Sequence, residues 1–212
     1  MEAYTEKVTL LSRTLGEGEA PFPAVSRFLL EADRQDLLAA GPVLARVIPE
    51  LKPLLGFDQR SPHHAYDLYT HVVHVVSGLP ADLTLRWAAL LHDIGKIPTF
   101  TRDETGRGHF YGHASAGAEM ADRVLQRLGA PDSLRQQAAL LIEQHMKRLI
   151  PDKQLLQRQA DCLGWETLEY LLALQDADMD SKGTGNREES DVFQRVRLLL
   201  TDLRREAELC KL

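Results

Sequence analysis

At 212 residues and 44% apolar content, the chain is long enough for one compact domain with a sizeable core. Its formal charge of -6 excludes a broad basic face for gripping a nucleic-acid backbone, leaving only a local basic groove open. Two cysteines, Cys162 and Cys210, exclude a disulfide framework, and the absence of a bilayer-length apolar run or a signal-peptide core predicts a cytoplasmic protein without membrane contact.

Apolar residues recur at three- and four-residue spacing, and no alternating strand pattern persists at length, which predicts an all-α fold. Residues 24–39, AVSRFLLEADRQDLLA, read as a helix closed by Gly41-Pro42, while prolines and Gly56 make the stretch from Pro49 to His64 irregular. Helices are predicted over Tyr66–Val76, ended by Gly78-Leu79-Pro80, and over Leu83–Asp93, ended by Gly95. Pro98–Gly112 is a polar loop, long enough to form a flap over a site. Further helices are predicted at about 113–128, ended by Gly129, and 133–148, where Ser133 and Gln136 after Pro131 fit a capping box. Segments 152–163 and 165–179 precede the loop SKGTGN. The last segment, 188–209, sets Val192, Phe193, Val196, Leu199, Leu200 and Leu203 on one face, as suits a packing helix or a homodimer contact.

His71, His92, Asp93, Lys96, His113, His145 and Asp178 fall at helix ends or in turns, where a bundle gathers side chains from distant sequence around one point. His92-Asp93 follows the apolar run WAALL, and burying that pair is costly unless something pairs with it. A divalent cation supplies the pairing, with His71 from the preceding helix and Asp178 from a later one completing two imidazoles and two carboxylates. Such a set, without sulfur, suits Mn, Ni, Co, Fe, Zn or Mg with positions left for water, unlike a closed structural zinc site. Water acidified by the metal and charge neutralised on a phosphoryl oxygen would then drive hydrolysis.

Plainer readings stand beside these. His92-Asp93 alone could be a helix-terminal salt bridge, and Asp176, Asp178 and Asp180 in DADMD a charged helix end. His74 competes with His71 and is taken as packing or as support for the ligands. His113 begins one helix and His145 nearly ends the next, and antiparallel pairing is expected to hold their imidazoles at opposite ends. Functional and structural readings of these two are level. Lys96, just past Gly95, is placed to meet a phosphate, with a solvated surface lysine as the alternative. Arg60, His63 and His64 fit a pocket rim or plain surface equally.

The spaced set His71, HDIGK from His92 to Lys96, and Asp178 resembles the HD-domain superfamily of metal-dependent phosphohydrolases. GFDQRSPHHAYDLYTHV, LRWAALLHDIGKIPTFT, GHFYGHASAGAEMA and LLALQDADMDSKG are similar to the HD region carried behind the catalytic head of bacterial tRNA nucleotidyltransferases, over roughly residues 20–185. The resemblance implies an HD-domain helical bundle across 1–212, with an N-terminal helical extension and a C-terminal packing helix. It implies metal ligation by His71, His92, Asp93 and Asp178, and places His113 and His145 in the pocket or, as in some relatives, at a second metal. It further implies phosphatase or 2',3'-cyclic phosphodiesterase activity on a nucleotide or an RNA 3' end.

In that reading Asp93 orients or deprotonates the attacking water, while Lys96, His113 and His145 hold the phosphate, one histidine protonating the leaving oxygen. No Gly-Ser followed by paired aspartates on a strand is present, so CCA addition by this chain alone is not expected. Two rival readings stay open: a non-catalytic nucleotide- or tRNA-binding module partnering a separate nucleotidyltransferase, and a two-metal oxidase.

Overall fold

The computed structural model describes residues 5–60, 66–181 and 187–209. Within them lie eleven α-helices, one 3-10 helix and one two-stranded ribbon, so the fold is all-α as the periodicity predicts. Helix α1 (Glu6–Gly16) starts at Thr5, whose hydroxyl accepts from the Val8 N–H. The predicted helix 24–39 is instead two helices, α2 (Pro21–Glu31) and α3 (Arg34–Val47). The break has a local cause: Asp33 and Asp36 form a reciprocal capping box that starts α3 afresh.

Gly41-Pro42 does not close a helix, since α3 runs through both residues. Gly41 is small for packing reasons, because a Cβ there would stand 2.8 Å from Leu55 and 2.9 Å from the Tyr69 ring. The stretch predicted as irregular contains a 3-10 helix, Pro49–Leu54, that buries Leu51 and Leu54.

Helices α4 (Leu68–Gly78) and α5 (Leu83–Leu91) form the centre. Each starts at an aspartate: Asp67 accepts from the Tyr69 and Thr70 N–H groups, and Asp82 from the Leu85 N–H. Every residue from Leu85 to Lys96 is buried, so the HD turn is carried into the interior on a strongly apolar helix. Around this pair stand α2, α3, α7 (His113–Leu128), α8 (Asp132–Gln144) and α10 (Trp165–Asp180). Full burial of a Leu, Val or Trp side chain contributes roughly 1.5–3 kcal/mol, and Trp87, Leu90, Leu91 and Ile94 lie at 1% exposure or less. Burial on that scale offsets the cost of holding polar groups at the end of the same helix.

Pro98–Gly112 is not a plain loop. It takes in the end of α6 (Lys96–Thr99) and an antiparallel ribbon, β1 (Thr101–Arg102) and β2 (Gly108–His109), with Thr101 opposite His109. Helix α8 also departs from expectation, because no Ser133 capping box forms. Pro131 occupies the N-cap, Asp132 meets the helix dipole in the first turn, and the helix ends at Gln144 rather than 148. Helix α9 (Lys153–Leu163) leads into α10, and α11 (Arg187–Leu209) packs on both through Phe193, Val196, Leu200 and Leu203. No helix among the described residues is long and apolar enough to cross a membrane.

Candidate metal centre

Helix ends deliver the candidate residues to one point. His71 comes from the first turn of α4, His92 from the C-cap of α5, Asp93 from the turn after it, and Asp178 from the last turn of α10. His71 Nε2 lies 3.2 Å from Asp93 Oδ2 and 3.1 Å from Asp178 Oδ1, while His92 Nε2 lies 3.2 and 3.8 Å from the same two oxygens. DADMD is therefore not one undifferentiated charged end. Asp176 pairs with Arg197 at 2.7 Å, and with Asp180 it lines a separate cavity of about 290 Å³. His74 lines that other cavity too, its ring tilted against Tyr66 with centroids 4.5 Å apart.

His113 and His145 are not at opposite ends. In an antiparallel hairpin the start of the first helix and the end of the second share an end, and the two Nε2 atoms stand 3.3 Å apart. His113 Nε2 is also 3.6 Å from Asp93 Oδ1. Two triads result, each with its ligand atoms within 4.8 Å of one another: His71, His92 and Asp178, and Asp93, His113 and His145. Asp93 turns Oδ2 to the first triad and Oδ1 to the second.

The imidazoles are presented alike. Nδ1–H of His92, His113 and His145 donates to the carbonyl three residues earlier, at 2.8, 2.8 and 2.6 Å. The Ser181 hydroxyl donates to the Asp178 carbonyl and so accepts from His71 Nδ1–H at 2.9 Å. Each bond leaves the Nε2 lone pair facing the cluster, the orientation that metal-bound histidines require.

Electrostatics favour a cation here. Burial alone would depress His92, but Asp93 and Asp178 outweigh it and hold the imidazole up at about 10. Burial would likewise raise Asp93, yet His92, Lys96 and His71 keep its carboxyl well below the usual range. Burial pushes His145 down to about 4, with His92 adding to the effect, and burial also lowers His113, so both are neutral donors at neutral pH. His92 Nε2 and the Asp93 oxygens are buried without a partner in hydrogen-bond geometry, although Lys96 Nζ lies at ion-pair distance, 2.8 Å, from Asp93 Oδ2. Four imidazole nitrogens and two carboxylates, with no sulfur, fit a divalent metal of the Mn, Fe, Co, Ni, Zn or Mg kind.

Lys96 is 6% exposed, which removes the solvated-lysine alternative. It donates to Gln59 Oε1 at 2.9 Å and lies over the Phe110 ring at 5.4 Å. With Asp93, His113, His145 and Asp178 it lines a cavity of about 260 Å³, closed on one side by Gly108, His109, Phe110 and Tyr111. Arg60 is not among the lining residues. It is exposed with φ of 49°, and its carbonyl accepts from the Gly108 N–H at 3.1 Å. His63 and His64 lie outside the described residues.

Three supporting residues carried no sequence signal. Gln59 holds Lys96. Gln175, one turn before Asp178, donates to the His145 and Lys147 carbonyls at 3.0 and 2.9 Å and accepts from the Leu149 N–H at 3.2 Å, capping the end of α8 where His145 sits. Ser181 fixes His71. Two glycines matter equally: a Cβ on Gly95 would stand 2.1 Å from the His113 carbonyl and 2.5 Å from Gly117 N, and one on Gly117 would stand 3.2 Å from the His92 carbonyl. The HD turn and the small-residue start of α7 thus meet backbone to backbone.

The HD domain family matches residues 68–179. The A-adding tRNA nucleotidyltransferase of Deinococcus radiodurans is 37% identical over 172 residues, covering 72% of this chain and 39% of that protein. The CC-adding tRNA nucleotidyltransferase of Thermus thermophilus is 35% identical over 170 residues, 76% of this chain and 38% of that protein. The multifunctional CCA protein of an Azoarcus species is 40% identical over 106 residues, 48% of this chain and 25% of that protein. The chain spans about two fifths or less of the length of these curated relatives.

Proposed function

Because this chain belongs to the HD domain family, we propose that it is a metal-dependent phosphohydrolase, a phosphatase or 2',3'-cyclic phosphodiesterase acting on a nucleotide or an RNA-terminal phosphoester. The observation that carries this reading is the Asp93 carboxylate, buried and shared between two histidine triads whose Nε2 atoms all face inward. His71, His92, Asp93 and Asp178 would hold one divalent ion, and His113 and His145, with the second oxygen of Asp93, a further one. Bound there, the metal supplies Lewis-acid stabilisation to a phosphoryl oxygen and acidity to water.

The chain's own residues do the rest. Asp93, its carboxyl held well below the usual range, serves to fix the orientation of an attacking water rather than to take its proton. Lys96, held by Gln59 against Asp93, puts a positive charge on the cavity wall, where it offsets the charge that develops on the phosphate. His113 and His145, both shifted down, are poor proton donors at neutral pH, so they serve as ligands or acceptors, and the proton for the leaving oxygen comes from water. Relatives named as tRNA nucleotidyltransferases support a nucleotide or RNA 3' end as the partner.

Metal analysis of protein purified without added metal, alongside hydrolysis of 2',3'-cyclic AMP and a phosphomonoester, tests the reading. At least one equivalent of metal, lost together with turnover in Asp93→Ala, is the expected result. Protein that takes up no metal, or that stays inert with Mn or Ni on a broad phosphoester panel, would overturn it.

A further inference from the structure

The cavity mouth carries an aromatic ring that the metal chemistry does not use. Tyr111 is 78% exposed, the most exposed of the large apolar side chains among the described residues, and Met146, at 56%, lines the same cavity. Its neighbour Phe110 turns inward onto Phe100, with centroids 5.3 Å apart, whereas Tyr111 turns out. The outward ring is nevertheless held in place. It lies nearly parallel to the His109 imidazole, with centroids 5.4 Å apart and an angle of 6° between the ring planes, and its hydroxyl donates to His109 Nδ1 at 3.3 Å. His109 Nε2–H donates in turn to Asp103 Oδ2 at 2.8 Å. Asp103 is itself fixed by the Thr105 hydroxyl at 2.6 Å and by the Thr105 and Arg107 N–H groups at 2.9 and 3.1 Å.

A tyrosine braced through His109, Asp103, Thr105 and Arg107, and exposed at a cavity of about 260 Å³, is an ordered stacking surface. Resting on the phosphohydrolase reading of the metal centre, we infer that Tyr111, backed by His109, is the platform on which the base of a nucleoside phosphate stacks, with Met146 as the other apolar element of the rim. Spacing supports this. Tyr111 precedes His113 by two residues, a chain distance of at most about 7 Å, and Gly112, at φ of 78°, turns the backbone so that His113 faces the triad while Tyr111 faces the mouth. That separation suits one nucleotide, its phosphate at the metal centre and its base on the ring. Stacking is tolerant of base identity because every base offers a π face, so the platform selects nucleoside phosphates over base-free phosphoesters rather than one base over another.

The test is equilibrium binding to metal-loaded protein of two phosphonates that resist hydrolysis, the analogues of AMP and of ribose 5-phosphate. The AMP analogue is expected to bind about tenfold more tightly, with Tyr111→Ala erasing the difference and Tyr111→Phe and Tyr111→Trp preserving it, at unchanged metal content. Equal affinity for the two ligands, or an AMP analogue that binds Tyr111→Ala as it binds the wild type, would overturn the platform. Discrimination without turnover of any phosphoester would sink the hydrolase reading and leave the platform standing as a binding site. Failure of both phosphonates to bind overturns the platform, while the hydrolase reading stands or falls on metal uptake and turnover. A short oligoribonucleotide ending in a 3'-phosphate that competes more strongly than the mononucleotide assigns the platform to an RNA end, and the reverse order assigns it to a free nucleotide.

Discussion

Helix α5 and the turn after it carry two buried ionic sites, and they are satisfied in opposite ways. The Arg86 guanidinium is bound by four neutral carbonyls: Leu29 and Ala32 at the end of α2, and Leu79 and Pro80 in the turn between α4 and α5. Burial lowers its pKa, but a guanidinium stays charged, and it sits against the negative end of the α2 dipole. Six residues on, His92 and Asp93 meet further ionisable groups, and the cluster still has inward-facing oxygens and nitrogens to offer. A charge that serves the fold is met by the chain itself. A charge that serves chemistry leaves room for something brought from outside.

That contrast can be broken from either side. Asp93→Ala should produce the largest effect, a fall in turnover of about 10³-fold with loss of bound metal. Arg86→Met should do the reverse. Leaving four buried carbonyls without their donor costs about 3 kcal/mol of stability by urea denaturation, with metal per folded chain unchanged.

Removing the metal sharpens the comparison through pH. In metal-free protein His92 is raised above its unfolded value, so its contribution is fully present below about 6.5 and is lost as pH climbs toward about 10. Asp93 is depressed, so its contribution is present above about 4 and is lost on acidification. Chelated wild type should therefore be most stable between these limits, and an Asp93→Ala protein should lose most of that profile when melting temperature is followed against pH. The smallest effects belong to the supports. Ser181→Ala and Gln175→Leu should each weaken metal binding about tenfold in a competition titration, and Gln175→Leu should also cost about 1 kcal/mol by urea denaturation.

Much of the centre can be read from the chain because a buried His-Asp pair after WAALL has no cheap apolar explanation. The companions His71 and Asp178 follow from the same logic, since a metal held by one turn needs ligands from other helices. What the sequence hid is neutral or long-range. Gln59 reaches Lys96 across 37 positions, Gln175 reaches His145 across 30 and Ser181 reaches His71 across 110, and no amide or hydroxyl signals such a partner in one sequence. His113 and His145 meet because the start of α7 and the end of α8 share one end of an antiparallel hairpin, a pairing that spacing along the chain does not show. The break at Asp33 was legible in its Asp-x-x-Asp spacing, but the apolar periodicity running across 24–39 masked it. Tyr111 and its brace needed the ribbon that the polar composition of 98–112 disguised as a loop.

Gly95 and Gly117 act as the shim that sets the gap between the two triads. With no side chain between the turn bearing His92-Asp93 and the first turns of α7, the spacing from Asp93 to His113 is the thickness of two peptide backbones. A single added methyl at Gly95 would act like a wedge, lifting α7 and carrying His113 away from the carboxylate it shares with the other triad. Neither glycine bears a reactive atom, yet the calibration of the centre is machined into them.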